Sequence, residues 1–415
     1  MQQTSITEHI SSLSLIARSF IISLVIVTAG VNSTSAGTLE REQARRIHDR
    51  LTGLPPSNSV LDQMESLILS GDAEGAAHLA MQNPAFYNIT LKNYVAPWTN
   101  EEQSVFAPLN DYTATVIGII RDDLDFRQVL HGNIIYTGNA SGIAAYSNNS
   151  NDHYEQLEQL GPVLGDLSDE TILERRTQTE VNGLPSNATA GVITTRAAAK
   201  AFFKDGTNRA MFRFTLMNHL CTDLEPLKDV SRVPDRVRQD VSRSPGGDSR
   251  IYMFSCVGCH AGMDGMAGAY AYYDYNNNTE ALEYTQGVVT GKHLINANNF
   301  KYGYATTDDS WVNYWRNGQN KLLNWSSQPM TGVQIDTRDH SFGNGAKSLG
   351  VELSNSEAFA SCQVKKAFRA ICLHDPDDYA ADRIAVDNIT TSFMSDGYNM
   401  KNVFASVADY CKEPQ

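Results

Sequence analysis

Two thiols and an imidazole stand together at Cys256-Val257-Gly258-Cys259-His260. The C-x-x-C-H spacing is that of covalent attachment of a c-type haem. Two cysteines three apart on one helical turn reach the two vinyl groups along one porphyrin edge. The next residue then brings the His260 imidazole beneath the iron as proximal ligand. Half a zinc site is one rival reading, but structural zinc needs a second ligand pair. The chain has no other C-x-x-C and no H-x-x-x-H. A thioredoxin-like redox pair is the other rival. Such a pair is not normally followed by His and opens a helix after a strand, for which the flanks give little support. The expectation is one covalent haem c, held by Cys256, Cys259 and His260.

What the iron does turns on its sixth ligand. A low-spin cytochrome recruits Met or a second His on the opposite face. Met330, in Ser327-Gln328-Pro329-Met330-Thr331-Gly332, is the first choice. Small c-type cytochromes resemble this, with a ligand Met beside Pro in a loop before the last helix. His293 and His340 read as surface histidines of loops, and Met263 and Met266 lie too near the attachment helix to cross the ring. Without a sixth ligand the iron stays open to peroxide, oxygen or CO, and the chain reads instead as a haem enzyme of peroxidase or oxygenase type. Whether it is an enzyme is therefore left open here.

The loop Asp223–Arg250 carries arginines and carboxylates in near balance, as a solvated, salt-bridged loop does. Its Arg243 and Arg250 are closest in sequence to the motif and suit haem propionates, which guanidinium groups grip bidentately. Between the motif and Met330 runs a belt of aromatics that includes Tyr270, Tyr273, Phe300, Tyr302, Trp311 and Trp315. Large apolar rings with one polar handle suit the walls of a porphyrin site.

Haem attachment occurs outside the cytoplasm, and the N-terminus agrees with that. Ser19 to Val31 is an apolar run after Arg18 and before Asn32-Ser33-Thr34-Ser35-Ala36, the pattern of a secretory signal peptide over 1–36. It is shorter than the ~20 residues of a spanning helix, so the mature chain is expected in the periplasm or secreted, not integral to the membrane. Four cysteines remain beside the haem pair: Cys221, Cys362, Cys372 and Cys411. An even number in an exported chain implies two disulfides. Cys362 to Cys372 reads as continuous helix, which separates them by ~15 Å, against the ~7 Å a disulfide allows. Each must bond to Cys221 or Cys411, and we take Cys221–Cys362 and Cys372–Cys411 of the two orders.

The acidic balance, 47 Asp and Glu against 33 Lys and Arg, argues against a nucleic-acid ligand, because phosphate binding needs a basic face. It suits a basic redox partner protein steered by field. No substrate and no oligomeric state follow from the sequence.

The elements that must position these groups read as mainly α. Helices are expected after Thr38 up to Gly53, over Val60–Leu69, Asp72–Met81, Asn110–Leu130, Thr194–Lys204 and Ala210–Cys221. Asn133–Asn151 reads as loop, and no strand-rich region stands out. Ser354-Asn355-Ser356-Glu357 looks like a capping box that launches a further helix, followed by helices over Ala380–Met394 and Asn399–Cys411. The expected organisation is a helical N-terminal region (37–205), a cytochrome c-like haem domain with long loops (206–350) and a small disulfide-stapled helical unit (351–415).

Cys256-Val257-Gly258-Cys259-His260-Ala261-Gly262-Met263-Asp264 resembles the haem-attachment stretch of the planctomycete-type and myxobacterial cytochrome modules. That family usually has Pro where Gly265 stands. Leu353–Phe359 with Cys362 and Phe368-Arg369 is similar to the family's C-terminal helix, although its usual Gly-Arg ending is replaced by Ile371-Cys372-Leu373-His374. Phe393 and Gly397-Tyr398-Asn399 are similar to its closing helix pair, and Asp125-Phe126 and Leu220-Cys221 also fit. The likeness covers about residues 110–411. It implies an exported monohaem protein of mostly helical fold and supplies no substrate.

Overall fold

The computed structural model describes residues 38–204, 207–237, 249–294 and 304–413. Three expectations lie outside the described residues: the signal segment 1–36, Arg243, and the aromatics Phe300 and Tyr302.

The N-terminal helices form where apolar periodicity and caps coincide. They are α1 (Leu39–Thr52), α2 (Asn58–Leu69) and α3 (Ala73–Ala80). Asp72 caps α3 by accepting from Gly75 N at 2.8 Å, which satisfies a donor that the first turn leaves without a partner. Residues 110–130 do not make one helix. Helix α4 (Asp111–Arg121) stops at Asp122, Asp123 turns the chain with φ +54°, and a separate turn covers Gln128–His131. The apolar register continues through that break, so periodicity alone did not reveal it. Every residue of α4 is buried, as an all-round apolar helix at the centre of a core must be.

The stretch expected to be loop after Asn133 contains strand β1 (Ile135–Gly138), paired antiparallel with β2 (Leu173–Arg176). Helices α5 (Arg196–Phe202) and α6 (Arg209–Leu220) follow. Asp111 is buried and accepts from the backbone N of Arg196 (2.6 Å) and Ala197 (3.0 Å), tying the first turn of α5 to α4. Helix α7 (Val257–Ala267) carries the thiol–imidazole motif. Beyond it come the hairpin β3 (Tyr273–Asn276) and β4 (Ala281–Tyr284), then β5 (Ser310–Asn313), β6 (Val333–Ile335) and β7 (Ser341–Asn344) in the order β5-β7-β6. Strands of three or four residues are too short to show alternation, and the class remains mainly helical.

The C-terminal helices are α8 (Gly345–Ser354), α9 (Glu357–Cys372), α10 (Ala380–Ser395) and α11 (Met400–Tyr410). Ser356, not Ser354, caps α9, accepting from Phe359 N at 3.2 Å; Ser354 closes the preceding helix. Both expected disulfides form, Cys221–Cys362 joining α6 to α9 and Cys372–Cys411 joining α9 to the end of α11. Residues that carried the family likeness at distant points meet here. Phe126 N donates to Tyr398 O (3.1 Å), the Arg127 guanidinium lies over the Tyr398 ring at 4.2 Å, and Phe393 packs edge-on to Tyr398.

Helix α11 also reaches back to the start of the chain. Phe404 packs against Phe86 and Tyr94, and Arg46 Nη1 donates to Glu413 O at 3.1 Å. The described residues from Glu40 onward accordingly form one compact unit. Among the described residues no helix is long and apolar enough to cross a membrane.

Candidate functional site

Three helical pieces run without interruption into the motif: Ser249–Ile251, a π-helical turn at Tyr252–Cys256, and α7. Single π-turns of this kind recur at functional positions, because the extra residue re-aims the side chains that follow. Here the turn ends at Cys256.

Glycines bring α7 close to its supports. Gly262 lies against the Trp315 indole, and Gly265 against Val312 O of β5. Trp315 is fully buried and packs on Phe212 of α6 at 5.9 Å. Behind it, the buried Glu352 of α8 accepts from Arg316 Nε (2.9 Å) and Nη2 (2.8 Å), from Asn313 Nδ2 (2.8 Å), and from Ser341. This satisfied buried ion pair holds the floor on which α7 rests.

Of the six cysteines, four pair, and Cys256 and Cys259 remain as free thiols, both partly exposed. Cys259 Sγ lies 3.7 Å from Leu224 O, and burial pushes its thiol pKa up. A redox-active C-x-x-C needs a thiol pushed the other way, so this environment disfavours the thioredoxin-like reading. No group of three or more His, Cys, Asp or Glu able to hold a metal gathers among the described residues, and the zinc reading would need one. A porphyrin supplies four of its iron's ligands itself.

His260 is set by a contact that spacing offered and the sequence analysis did not use. Asp264, one helical turn on, places Oδ1 3.2 Å from His260 Nδ1. An acid four residues after a His on a helix is the signal for such a pair. Arg209, the first residue of α6, holds the same carboxylate with Nε (2.8 Å) and Nη2 (3.0 Å). Asp264 is wholly buried, whereas the imidazole keeps 21% of its exposure. With Nδ1 engaged, Nε2 makes no hydrogen bond among the described residues. Nearby, the Tyr252 hydroxyl is buried without a partner among those residues. Burial raises its pKa strongly, and Asp264 and Cys256 add to the effect.

Exposed apolar side chains and charged groups both lie near the thiols: Glu225, Lys228 and Asp223 act on Cys259. Phe254, two residues before Cys256, is 85% exposed, and Met253 and Val230 are exposed too; Val230 lies over Gly258. Monomeric surfaces seldom leave such residues bare in a group. A c-type haem would need two thiols and an imidazole nitrogen to bind it; the described residues offer the free thiols of Cys256 and Cys259 and His260 Nε2, which makes no hydrogen bond among them.

Other expected site residues are placed differently. Arg250 is exposed in the helical piece that precedes the motif. The described part of the arginine loop is salt-bridged: Arg232 pairs with Asp229 (2.8 Å), and Arg236 donates to Tyr304 Oη (2.7 Å). Met330 is partly buried in a tight turn, with Val333 N donating to its carbonyl at 3.1 Å. That turn leads into β6, which β7 separates from β5, the strand packed on α7. His293 is buried rather than on the surface, and His340 packs on the Tyr314 ring. Much of the aromatic belt is core: Tyr273 stacks on Phe203, and Trp311 Nε1 donates to Ser348 Oγ (2.7 Å).

Set against protein-family models, curated proteins and solved structures, the chain matches none of them.

Proposed function

We propose that this chain is an exported monohaem c-type cytochrome. The observation that carries the reading is the helix-borne set of two free thiols and an imidazole whose Nδ1 is engaged and whose Nε2 makes no hydrogen bond among the described residues. Cys256 and Cys259 form the thioether links, and His260 presents Nε2 as proximal ligand. When bound, the haem supplies one-electron chemistry between ferric and ferrous iron. Val230, Met253 and Phe254 exclude water from the attached edge, and Arg250 and Arg243 are the arginines assigned to propionates. Two disulfides support an oxidising compartment, which agrees with the signal-like segment at 19–31. The excess of acids over bases favours docking of a basic redox protein. The likeness to the planctomycete-type and myxobacterial cytochrome modules points the same way.

Met330 is the proposed distal ligand. Its place before β6, two strands from α7's neighbour, favours the second reading, an open distal face and a haem enzyme. One experiment tests both. The protein is produced with a haem-attachment system, and its pyridine haemochrome, intact mass and optical spectra with and without CO are recorded. Covalent haem, lost in Cys256→Ser/Cys259→Ser, is the expected result, and its absence refutes both readings. A low-spin spectrum that ignores CO in wild type and turns high-spin in Met330→Ala assigns electron transfer through Met330. A high-spin, CO-binding wild type rejects that ligand.

A further inference from the structure

We infer that Asp264, fixed by Arg209, is the positioning residue that sets the donor strength of His260 and thereby holds the reduction potential of the attached haem down. The inference rests on the haem reading and goes beyond it. Three features of the geometry carry it.

First, the carboxylate is placed by two elements. Asp264 sits four residues after His260 on α7, so its Oδ1 meets Nδ1 at 3.2 Å. Arg209 comes from α6 and grips both oxygens, at 2.8 and 3.0 Å. The fork stops the carboxylate from rotating away, and the carboxylate stops the imidazole from rotating about its own bonds. Second, the pair is shielded. The Asp264 side chain has no exposure and that of Arg209 only 17%, so the hydrogen bond acts where water screens it weakly. Third, a carboxylate oxygen can only accept, so the contact suits a ring that carries its proton on Nδ1, and Nε2 makes no hydrogen bond among the described residues.

A metal-ligating His that donates its other N–H to a carboxylate is a stronger base toward the metal. A stronger donor favours the more positive ferric iron over the ferrous, and the potential falls. Arg209 tempers this by sharing the same Oδ1.

The test compares wild type, Asp264→Asn and Asp264→Glu, each first assayed for covalent haem by pyridine haemochrome and then titrated for midpoint potential. Asparagine keeps an acceptor but loses the charge, so the preference for ferric iron should fall about tenfold, a rise of about 59 mV for one electron. Glutamate keeps the charge and should recover part of that shift, which a merely structural role would not produce. A second measurement needs no variant. In ferrous wild-type protein under CO, the His260 Nδ1–H should appear in the histidine nitrogen–proton spectrum as a hydrogen-bonded proton protected from exchange. Fully attached haem with an unmoved potential in Asp264→Asn, or an Nδ1 proton in fast exchange, overturns the inference and leaves the haem reading standing. No covalent haem in any of the three proteins overturns both.

Discussion

Gly262 decides how closely α7 can lie on Trp315, and replacing it by alanine separates two opposing effects. In an exposed helix the change is stabilising by about 1 kcal/mol, because glycine gives up more backbone freedom. At Gly262 the added methyl would overlap the indole ring, and would stand only 2.8 Å even from Cδ1, against the 3.4–4 Å of ordinary contact. Trp315 has no free side to retreat into, being fully buried and packed on Phe212. Overpacking of this kind costs about 1–3 kcal/mol. The net expectation for Gly262→Ala is a loss of up to about 2 kcal/mol, because the clash with a fixed indole offsets or exceeds the propensity gain. Gly258 provides the control four residues earlier on the same helix. Its methyl would meet Lys228 Cγ at 2.5 Å, a carbon of a partly exposed side chain that must shift, whereas the indole at Gly262 is fixed. Gly258→Ala should therefore cost less than Gly262→Ala. Urea unfolding of both variants, followed by far-ultraviolet circular dichroism, measures the difference. Equal midpoints for the two variants would refute the claim that Trp315 clamps α7, and with it the account of how the motif is positioned.

Two further outcomes follow from the same structure. Replacing Cys372 and Cys411 together by alanine opens a cross-link that spans 39 residues, which by chain entropy should cost up to about 4 kcal/mol, measured as a lowered midpoint in non-reducing urea. His374 has its pKa raised, first by the hydrogen bond with Asp382 at 2.9 Å. Its contribution is thus complete below the unfolded value of about 6.5 and is lost as pH rises through the higher folded value. Stability should fall from pH 6 to pH 8 by less than about 1 kcal/mol, as for other partly exposed pairs, and His374→Asn should remove that slope.

Helices were legible where one apolar face repeats after a clear cap, as in α2 behind Ser57. The end of α4 was not, because Leu124 and Leu130 continue the pattern beyond the turn that Asp123 makes. Two serines precede Glu357, and only the backbone decides that Ser356 is the cap. Helical rise forbids Cys362–Cys372 and so narrowed the disulfides to two orders, but which of the two forms depends on the tertiary meeting of α6 with α9, which no local pattern shows. At the site, the thiols and His260 are fixed by spacing, whereas Arg209 is fifty-five positions from Asp264, and no local pattern links them. The burial of Tyr273 and Trp311 was equally hidden, since an aromatic run reads the same in a ligand wall and in a core.

The contact of α11 with the first helices has a bearing on biogenesis. A polypeptide emerging amino end first shows α2 and α3 long before Phe404 and Glu413 exist to cover them. Cys411, the partner of Cys372, is made after it and after Cys256 and Cys259. Oxidation of that pair can thus act as a closing latch on a molecule whose middle, with its two free thiols, has already passed through a period of open access.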